Sequence, residues 1–475
     1  MRVVVIGGSA AGQFAALLLA RAGHAVVLLD QDDLAPRRGV DTAAVSFRPA
    51  APQTVQPHAL LPRCRLLLRE HLMDVYDALL AAGALESTLD VASPPDMHIA
   101  PQPGDEDYTS IATRRSTLDL ILRRAVAAQP GLTCRFGVRT TGLVADPGSP
   151  PLIRGVRTDT GELHADLVVD ATGRRTHVDR WLTQVGAEAT TVVAAECGLA
   201  YHSRHYRVRA GRALPGHPAT RLLFALDEFT TGLWNCDNGT ATIAIAPLVQ
   251  DRRFRGVKEP AVFDAVARTV PAYRPWLEVL EPTSDVFVMA GLHNTFRRLL
   301  TDGRPVATGL ALVGDSRCTT NPTFGRGLPL ALIEAADLLR ATETDGDDRL
   351  QLTRELERRA LEHVEPFYRD QAHNDAVRLA GLRHTIFGAP LPSLRPSPDA
   401  VTFTELRMSM PLHADALRAF WRVMGMLDLP DRIYTDHEVV RRTRQLLGTT
   451  ADVPPFPQPT RSDLEAVLSG EVTPV

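Results

Sequence analysis

Residues that could hold a phosphate lie close to the N-terminus of this sequence. A β-branched run over residues 3–6 is followed by a turn of small residues, Gly7, Gly8, Ser9 and Gly12. A helix-forming stretch comes next, and then a second apolar run that ends in Asp30. A strand, a glycine-rich turn and a helix hold a pyrophosphate at the positive end of the helix, and an acid after the second strand accepts hydrogen bonds from a ribose. The pattern predicts a dinucleotide site.

Ser9 departs from the usual G-x-G-x-x-G spacing, because it occupies the position of the middle glycine. We expect its hydroxyl to face the pyrophosphate. Two other interpretations stay open: a plain strand–helix packing turn, or a secretion signal, since residues 3–23 are mostly apolar. The second apolar run and Asp30 favour the nucleotide turn. The motif alone does not separate NAD from FAD.

Two later segments have acids and glycines directly after predicted buried strands. The stretch DLVVDATGRR contains Asp170 and Gly173. The stretch VGDSRCTTNPTFGRG contains Gly314, Asp315, Pro322, Gly325 and Gly327. Proline and glycine leave backbone amides bare at the start of the helix predicted after residue 327, and a helix N-terminus attracts negative charge. We predict that these residues contribute to the cofactor site.

In these three motifs, taken in their order and separation, the chain resembles the FAD-dependent monooxygenases of the aromatic-hydroxylase and squalene-epoxidase type, the group A superfamily. The resemblance covers about residues 1–345. The stretches VQPHALLPRCRLLL, DLVVDATGRR and CTTNPTFGRGLPLA look most like the bacterial polyketide-tailoring epoxidases and hydroxylases. The resemblance implies FAD, NAD(P)H as electron donor, and hydroxylation or epoxidation of an apolar, polyketide-like substrate by O2 through a C4a-hydroperoxyflavin.

Family roles are carried over where the motifs match. Asp315 would bind the ribityl chain, Asp30 would bind the adenosine ribose, and Gly12 would allow close approach to the pyrophosphate. Arg115, in the pattern R-x-x-L-D, matches the family arginine that reaches the FAD phosphate and ribityl region. Its neighbour Arg114 is the alternative.

A flavin monooxygenase needs little from side chains, because the flavin carries the reaction while the protein excludes water and orients the substrate. The catalytic residues are therefore left unknown, with four candidates beside the ring: His58, Pro322, Gly325 and Gly327. His58 could lie over the flavin, tether it covalently or steer the substrate. A structural, hydrogen-bonded histidine is the alternative.

Candidate substrate residues come from predicted strands in the middle of the chain: Tyr201, His205, Phe224 and Trp234. Alternate residues of a strand share a face, so such a run could line a cavity. A solvated sheet face is the alternative for the run around Tyr201, and a core position is the alternative for Phe224 and Trp234.

Two features disfavour the halogenases that share this scaffold. Their pattern requires a lysine between flavin and substrate, contributed by the early part of the chain, and a WxWxIP stretch. The only lysine here is Lys258, and LWNCDN does not match WxWxIP. A flavin dehydrogenase or oxidase without oxygen insertion, and a non-catalytic flavin- or ligand-binding protein, stay as alternatives to the monooxygenase.

Composition excludes further classes of protein. The chain has 475 residues and a net charge of −4 without a basic block, so nucleic acid is not an implied partner. The 5 cysteines are scattered and never in C-x-x-C spacing, which argues against a disulfide framework and a metal site and favours the cytoplasm. No apolar run is long enough to predict a transmembrane helix. A reductase or carrier protein as partner, and the oligomeric state, stay open.

The predicted fold class is α/β: a Rossmann-like FAD-binding domain of the glutathione-reductase type, an inserted, mostly antiparallel substrate sheet, and a helical C-terminal region. The FAD-binding domain is predicted over residues 1–85, 113–183 and 293–345. Substrate-domain strands are predicted over 86–112 and 184–292. Residues 346–475 form the helical region, which carries no motif and could cap the pocket or mediate dimer contacts.

Overall fold

The computed structural model describes residues 1–33, 39–44, 48, 51–58, 60–94, 96–392, 397–449 and 457–470. The proline-rich stretch that follows Asp30 has the composition of a long loop, and parts of it lie outside these residues. No helix in the described ranges is both long and apolar enough to cross a membrane.

A parallel sheet forms the centre of the nucleotide-binding part. Its strands are β1 Arg2–Ile6, β2 Ala25–Asp30, β5 Leu132–Phe136, β9 Leu167–Asp170 and β20 Leu310–Leu312, in the order β20-β9-β1-β2-β5. Runs of Val, Ile and Leu are typical of strands that are buried on both faces. Ile6 pairs with Leu29 of β2 and with Asp170 of β9. The three glycine-containing motifs therefore meet at one edge of the sheet.

Helices cover this sheet, and the smaller antiparallel ladders lie around it. The helices are α1 Ala10–Arg21, α2 Val40–Ala44, α3 Pro62–His71, α4 Met73–Ala81, α5 Arg115–Ala128, α6 Val178–Gln184, α9 Gly327–Asp345 and α10 Arg349–His363. The ladders are β3 Leu85–Ser87 with β4 Ser110–Ala112, β6 Thr140–Asp146 with β7 Leu152–Thr158 and β8 Gly161–His164, and β18 Leu300–Thr301 with β19 Arg304–Pro305. In the described ranges β3 and β4 form a two-stranded sheet with each other, and the assignment of residues 86–112 to the substrate domain stays a prediction.

A six-stranded antiparallel sheet forms the inserted part. Its strands are β11 Tyr201–Val208, β12 Arg221–Ala225, β13 Phe229–Asn235, β14 Thr240–Pro247, β15 Leu280–Pro282 and β16 Phe287–Met289. One face packs on α7 Pro260–Thr269, α8 Arg274–Leu277 and α16 Arg461–Leu468, through buried side chains such as Phe263 and Leu464. The opposite face is directed towards the nucleotide-binding part.

A three-stranded sheet and the C-terminal helices complete the fold. The strands are β10 Thr191–Glu196, β17 His293–Arg298 and β21 Cys318–Thr319. The helices are α11 Glu365–Phe387, α12 Phe403–Ser409, α13 Ala414–Met424, α14 Pro430–Tyr434 and α15 His437–Thr449. The structure confirms the predicted α/β class with a parallel sheet and a helical C-terminal region.

Candidate functional site

The first turn of the site requires glycine at two positions. Gly7 has a φ of +105°, and a Cβ there would lie 2.4 Å from the carbonyl oxygen of Ala171. A Cβ at Gly12 would lie 1.8 Å from the carbonyl oxygen of Gly7. Ser9 is the N-cap residue of α1, and its side chain makes no capping hydrogen bond. The hydroxyl of Ser9 is thus available beside the helix N-terminus.

Asp30 lies beneath this turn. Its carboxylate accepts hydrogen bonds from the amide of Gly8 at 2.6 Å and from the amide of Asp32 at 2.7 Å. It also pairs with the buried guanidinium of Arg48 at 3.0 Å. Burial raises the pKa of Asp30, while Arg48 and the two amides act in the opposite direction. The carboxylate is therefore held in place at the edge where a ribose would bind.

Asp170 joins the second and third motifs. It accepts hydrogen bonds from the amide of Thr172 at 2.9 Å and from the hydroxyl of Ser316 at 3.2 Å, and it also contacts the hydroxyl of Thr176. The Ser316 hydroxyl in turn accepts from the amide of Gly173 at 2.9 Å. The protein itself supplies these partners of Asp170, so this carboxylate orients the two loops; a direct contact with a cofactor stays a prediction.

Asp315 differs from Asp170 because its carboxylate has no hydrogen bond or ion pair within the described ranges. It lies beside both glycine-containing loops: a Cβ at Gly327 would be 3.9 Å from its Oδ1, and one at Gly173 would be 3.9 Å from its Cβ. Burial raises the pKa of Asp315, and the charges of Arg115 and Arg174 oppose that rise. A carboxylate in such a place can accept hydrogen bonds from ligand hydroxyls.

Arg115 and His58 form a pair next to Asp315. The guanidinium of Arg115 pairs with Asp119 at 2.9 Å, and its Nη1 lies 3.2 Å from Nε2 of His58. The other ring nitrogen of His58 lies 2.9 Å from the carbonyl oxygen of Gln56. Burial and the charge of Arg115 lower the pKa of His58 to about 4. His58 is therefore neutral at pH 7, with both nitrogens engaged by protein atoms.

The alternative arginine, Arg114, points elsewhere. It binds the fully buried Asp237 through its backbone amide at 2.7 Å and through its guanidinium at 2.8 Å, and it also pairs with Asp41 at 3.2 Å. Because these carboxylates occupy its donors, Arg114 connects the start of α5 to the substrate sheet. Arg115 is the better placed of the two to approach Asp315.

The loop before α9 is anchored by the C-terminal region. A short helical turn at Pro322–Phe324 is followed by Gly325, which has a φ of +69°. The Asn321 amide side chain donates to Asp375 of α11 at 2.9 Å, and the backbone amide of Asn321 donates to Asn294 at 2.6 Å. Burial raises the pKa of Asp375 to about 6, although hydrogen bonds from three side-chain amides act to lower that pKa. We call residues 321–327 the ring loop.

The comparisons with known proteins agree with this geometry. The sequence matches no protein-family model. It is 25% identical to Protein Rv3254 of Mycobacterium tuberculosis over 371 residues, which is 71% of this chain and 72% of that protein. The solved structure of flavin-dependent brominase Bmp2 aligns with a TM-score of 0.61 and 15% identity, covering 94% of this chain and 98% of that one.

Two further solved structures are similar along most of the chain. PqsL, a probable FAD-dependent monooxygenase from Pseudomonas aeruginosa, has a TM-score of 0.56 and 16% identity over 82% of this chain and 98% of its own. The myxobacterial chondrochloren halogenase CndH has a TM-score of 0.56 and 18% identity over 98% and 95%. This chain has the fold of FAD-dependent monooxygenases and halogenases. The resemblance seen in the three motifs is thus confirmed at the level of the fold.

The fold implies FAD, and the residues at the sheet edge fit that cofactor. The uncapped hydroxyl of Ser9 and the first amides of α1 suit a pyrophosphate. The carboxylate of Asp315, without a protein partner in the described ranges, suits the hydroxyls of a ribityl chain. The ring loop offers backbone amides at the N-terminus of α9, where negative charge is stabilised.

The four candidate substrate residues lie on two faces of the large sheet. Tyr201 and His205 are directed towards the nucleotide-binding part: the Tyr201 hydroxyl contacts Asn321 and Thr323, and Nε2 of His205 lies 2.7 Å from the carbonyl oxygen of Val55. Trp234 shares this face, because it pairs with Thr242, which pairs with His205. Phe224 lies on the opposite face, with its ring 5.8 Å from that of Tyr273.

Sequence reasoning missed three charged residues that build the site. Arg48 is one of several arginines in the proline-rich stretch after Asp30, and no spacing pattern marks it. Glu334 of α9 accepts a hydrogen bond from the amide of Gly314 at 2.6 Å, and burial raises its pKa to about 8. Asp375 supports the ring loop from α11. Glu334 could have been found as an acid on the buried face of a predicted helix, whereas the other two required the tertiary structure.

Proposed function

We propose that this chain is an FAD-dependent monooxygenase that uses NAD(P)H and O2 to hydroxylate or epoxidise a mainly apolar small molecule. The observation that carries the proposal is the convergence of three separate chain segments on Asp315, whose carboxylate has no partner within the described ranges. Asp315 is half-buried, so its unpartnered carboxylate oxygens stay accessible as hydrogen-bond acceptors for a ligand. Hydroxyl groups of a bound flavin would supply the missing hydrogen bonds.

Each end of FAD has residues that would hold it. Ser9 and the amides that follow it would bind the pyrophosphate, Asp30 the adenosine ribose, and Asp315 with Arg115 the ribityl region. When bound, FAD supplies the redox and oxygen chemistry. The ring loop would supply amides for the anionic edge of the reduced ring. The face of the large sheet that carries Tyr201 and His205, which we call the substrate face, would keep water away from the ring.

Oxygen transfer is proposed in preference to halogenation, although both activities occur on this fold. Lys258 is the only lysine. It is exposed and lies just before α7, which covers the sheet face that is turned away from the flavin region. A lysine between flavin and substrate would have to come from elsewhere in the chain, and the sequence has no other.

The test begins with flavin and oxygen rather than with a known substrate. The purified protein should bind FAD, and its absorbance should bleach anaerobically with NADPH, NADH or a reductase. Readmitted O2 should then give a transient flavin absorbance. A product from a substrate library should gain 16 mass units with ordinary O2 and 18 with 18O2. Added bromide should leave the product mass unchanged. A brominated product would contradict the proposal.

A matched pair of variants tests the site assignment. Asp315→Ala should weaken FAD binding by at least about tenfold, which corresponds to roughly 1.4 kcal/mol. Asp302→Ala, at an exposed turn residue, is the control. Unchanged FAD affinity in Asp315→Ala would contradict the assignment. A product that loses two mass units without label would instead favour the dehydrogenase alternative, and stable yellow flavin that no donor reduces would favour a binding protein.

A further inference from the structure

Three arginines near the substrate face of the large sheet have no carboxylate within ion-pair distance among the described residues: Arg221, Arg378 and Arg407. These three are half-buried, and the more deeply buried arginines of the described ranges do have one, as Arg326 has in Asp370. Withdrawing a guanidinium from water without a counter-charge is costly. Burial lowers the pKa of all three. Two of them, Arg378 and Arg407, belong to elements that approach the ring loop.

Arg378 extends from α11 to the end of strand β13. Its Nη2 donates to the carbonyl oxygens of Leu226 at 2.6 Å and Phe229 at 3.0 Å, and its Nε donates to the hydroxyl of Thr230 at 3.3 Å. All of these acceptors are neutral. Its Nη1 makes no hydrogen bond within the described ranges and is therefore available to a ligand.

The register of the sheet places Arg378 near the ring loop. Thr230 pairs with Ala246 of β14, and β11 with Tyr201 is the next strand. Neighbouring strands are about 4.8 Å apart, so Thr230 and Tyr201 are separated by about 10 Å. The Tyr201 hydroxyl lies 3.0 Å from that of Thr323 in the ring loop.

Arg407 approaches the same region from the C-terminal helices. It lies on α12 four residues after Phe403, and residues at this spacing share a helix face. The ring of Phe403 is 4.6 Å from that of Phe324 in the ring loop. The guanidinium of Arg407 makes no hydrogen bond in the part of the chain that the structure describes, and its charge contributes to the lowered pKa of Arg378.

Apolar surface lies beside the region that Arg378 and Arg407 approach. Leu223 of β12, on the same sheet face, is 44% exposed. The ring of Trp234 covers Gly232 beside it, since a Cβ at Gly232 would lie 2.2 Å from that ring. The Phe403 ring packs on Phe420 as well, at 5.6 Å. A ligand in this region would meet apolar walls and two guanidiniums at one end.

We propose that Arg378 and Arg407 bind a carboxylate of the substrate, which is then an amphipathic acid with an apolar body. The inference rests on the proposed function and narrows the expected apolar substrate to one that carries an anionic group. Arg407 can donate to a carboxylate in a planar, two-pronged geometry, and Arg378 adds one donor through its Nη1. Binding of the substrate carboxylate to these arginines would fix the distance between the apolar body of the substrate and the ring loop.

Matched acids and amides test the proposal on the FAD-loaded protein. Benzoate against benzamide, and 1-naphthoate against 1-naphthamide, are titrated by their effect on flavin absorbance and fluorescence. At least one acid should bind tenfold or more tightly than its amide. Arg407→Met should abolish that preference and leave amide binding unchanged, whereas Arg354→Met, at an exposed position on α10, should keep it.

Stability provides the second measurement. Because Arg407 has no hydrogen bond to lose among the described residues, Arg407→Met should keep or raise the Tm of the protein. A fall of more than about 3 °C relative to Arg354→Met would assign a structural role to Arg407 and overturn the proposal. Equal binding of every acid and its amide would also overturn it. Wild-type protein that binds no FAD would contradict the proposed function itself.

Discussion

At the residue scale, small differences in hydrogen bonding separate similar side chains. Asp170 and Asp315 both follow buried strands in glycine-rich segments, and both were predicted to contribute to the cofactor site, with the ribityl chain assigned to Asp315 alone. The structure surrounds Asp170 with protein donors and leaves Asp315 without one in the described ranges. Likewise Arg114 is occupied by Asp237, and Arg115 is directed to His58. The adjacent residues Arg114 and Arg115 thus have different roles, because their side chains contact different elements.

His58 gives a pH-dependent prediction at this scale. Its pKa is lowered to about 4, so the unfolded chain takes up the proton at a higher pH than the folded protein does. Stability should therefore fall as the pH decreases from about 6.5 to 4. Relative to His58→Gln, the wild type should lose up to about 2 kcal/mol more free energy of unfolding between pH 7.5 and 5.

Chemical denaturation at the two pH values, with the flavin content held equal, measures this difference. His164→Gln, at an exposed position of β8, is the matched control and should behave as the wild type. If His58→Gln loses as much stability as the wild type on acidification, His58 is not held neutral in the folded protein.

At the element scale, helix α11 supports the ring loop although it lies far from it in sequence. Asp375 accepts hydrogen bonds from Asn294 at 2.7 Å, Asn321 at 2.9 Å and Gln371 at 3.0 Å. A few residues earlier in the same helix, Asp370 pairs with the fully buried Arg326 at the end of the loop. The position of the loop therefore depends on α11.

Removal of this support should weaken cofactor binding. Asp375→Ala leaves three side-chain amides without their acceptor. Each lost hydrogen bond should destabilise the folded protein by about 1 kcal/mol or more. We expect FAD affinity to fall by about tenfold while secondary structure is retained, measured by fluorescence titration and circular dichroism. Asp347→Ala, at an exposed position, should show neither effect. Wild-type FAD affinity in Asp375→Ala would mean that the loop keeps its conformation without α11.

At the scale of the whole molecule, a buried ion pair joins the nucleotide-binding part to the substrate sheet. Asp237, which is fully buried, binds the guanidinium of Arg114 at 2.8 Å and the hydroxyl of Thr117 at 2.9 Å. Arg114 lowers the pKa of Asp237, against the effect of burial. This contact links the start of α5 to the turn between β13 and β14.

Asp237→Asn should destabilise the protein by about 3 kcal/mol, because it removes the buried counter-charge of Arg114 and leaves only the exposed Asp41. Asp41→Asn removes the other, exposed partner of the same arginine and should cost less than about 1 kcal/mol. Thermal and urea unfolding of both variants measures the difference. Equal stability of the two would show that the buried pair adds nothing beyond the exposed one.

The sequence by itself determined the α/β class, the dinucleotide turn and the order of the three motifs. These features depend on local periodicity, on glycines without space for a Cβ, and on acids directly after buried strands, all of which are encoded within short segments. The helices α3 Pro62–His71, α4 Met73–Ala81 and α7 Pro260–Thr269 follow from the same kind of local signal.

Only the tertiary structure decided which charged groups have partners. Arg48 reaches Asp30, Asp375 reaches Asn321, and Arg378 reaches the turn before β13, each across a separation that no periodicity reveals. Whether a buried charge is compensated depends on what other elements bring within about 4 Å of it. For that reason the sequence could indicate a flavin, whereas the anionic substrate proposed here required the packed fold.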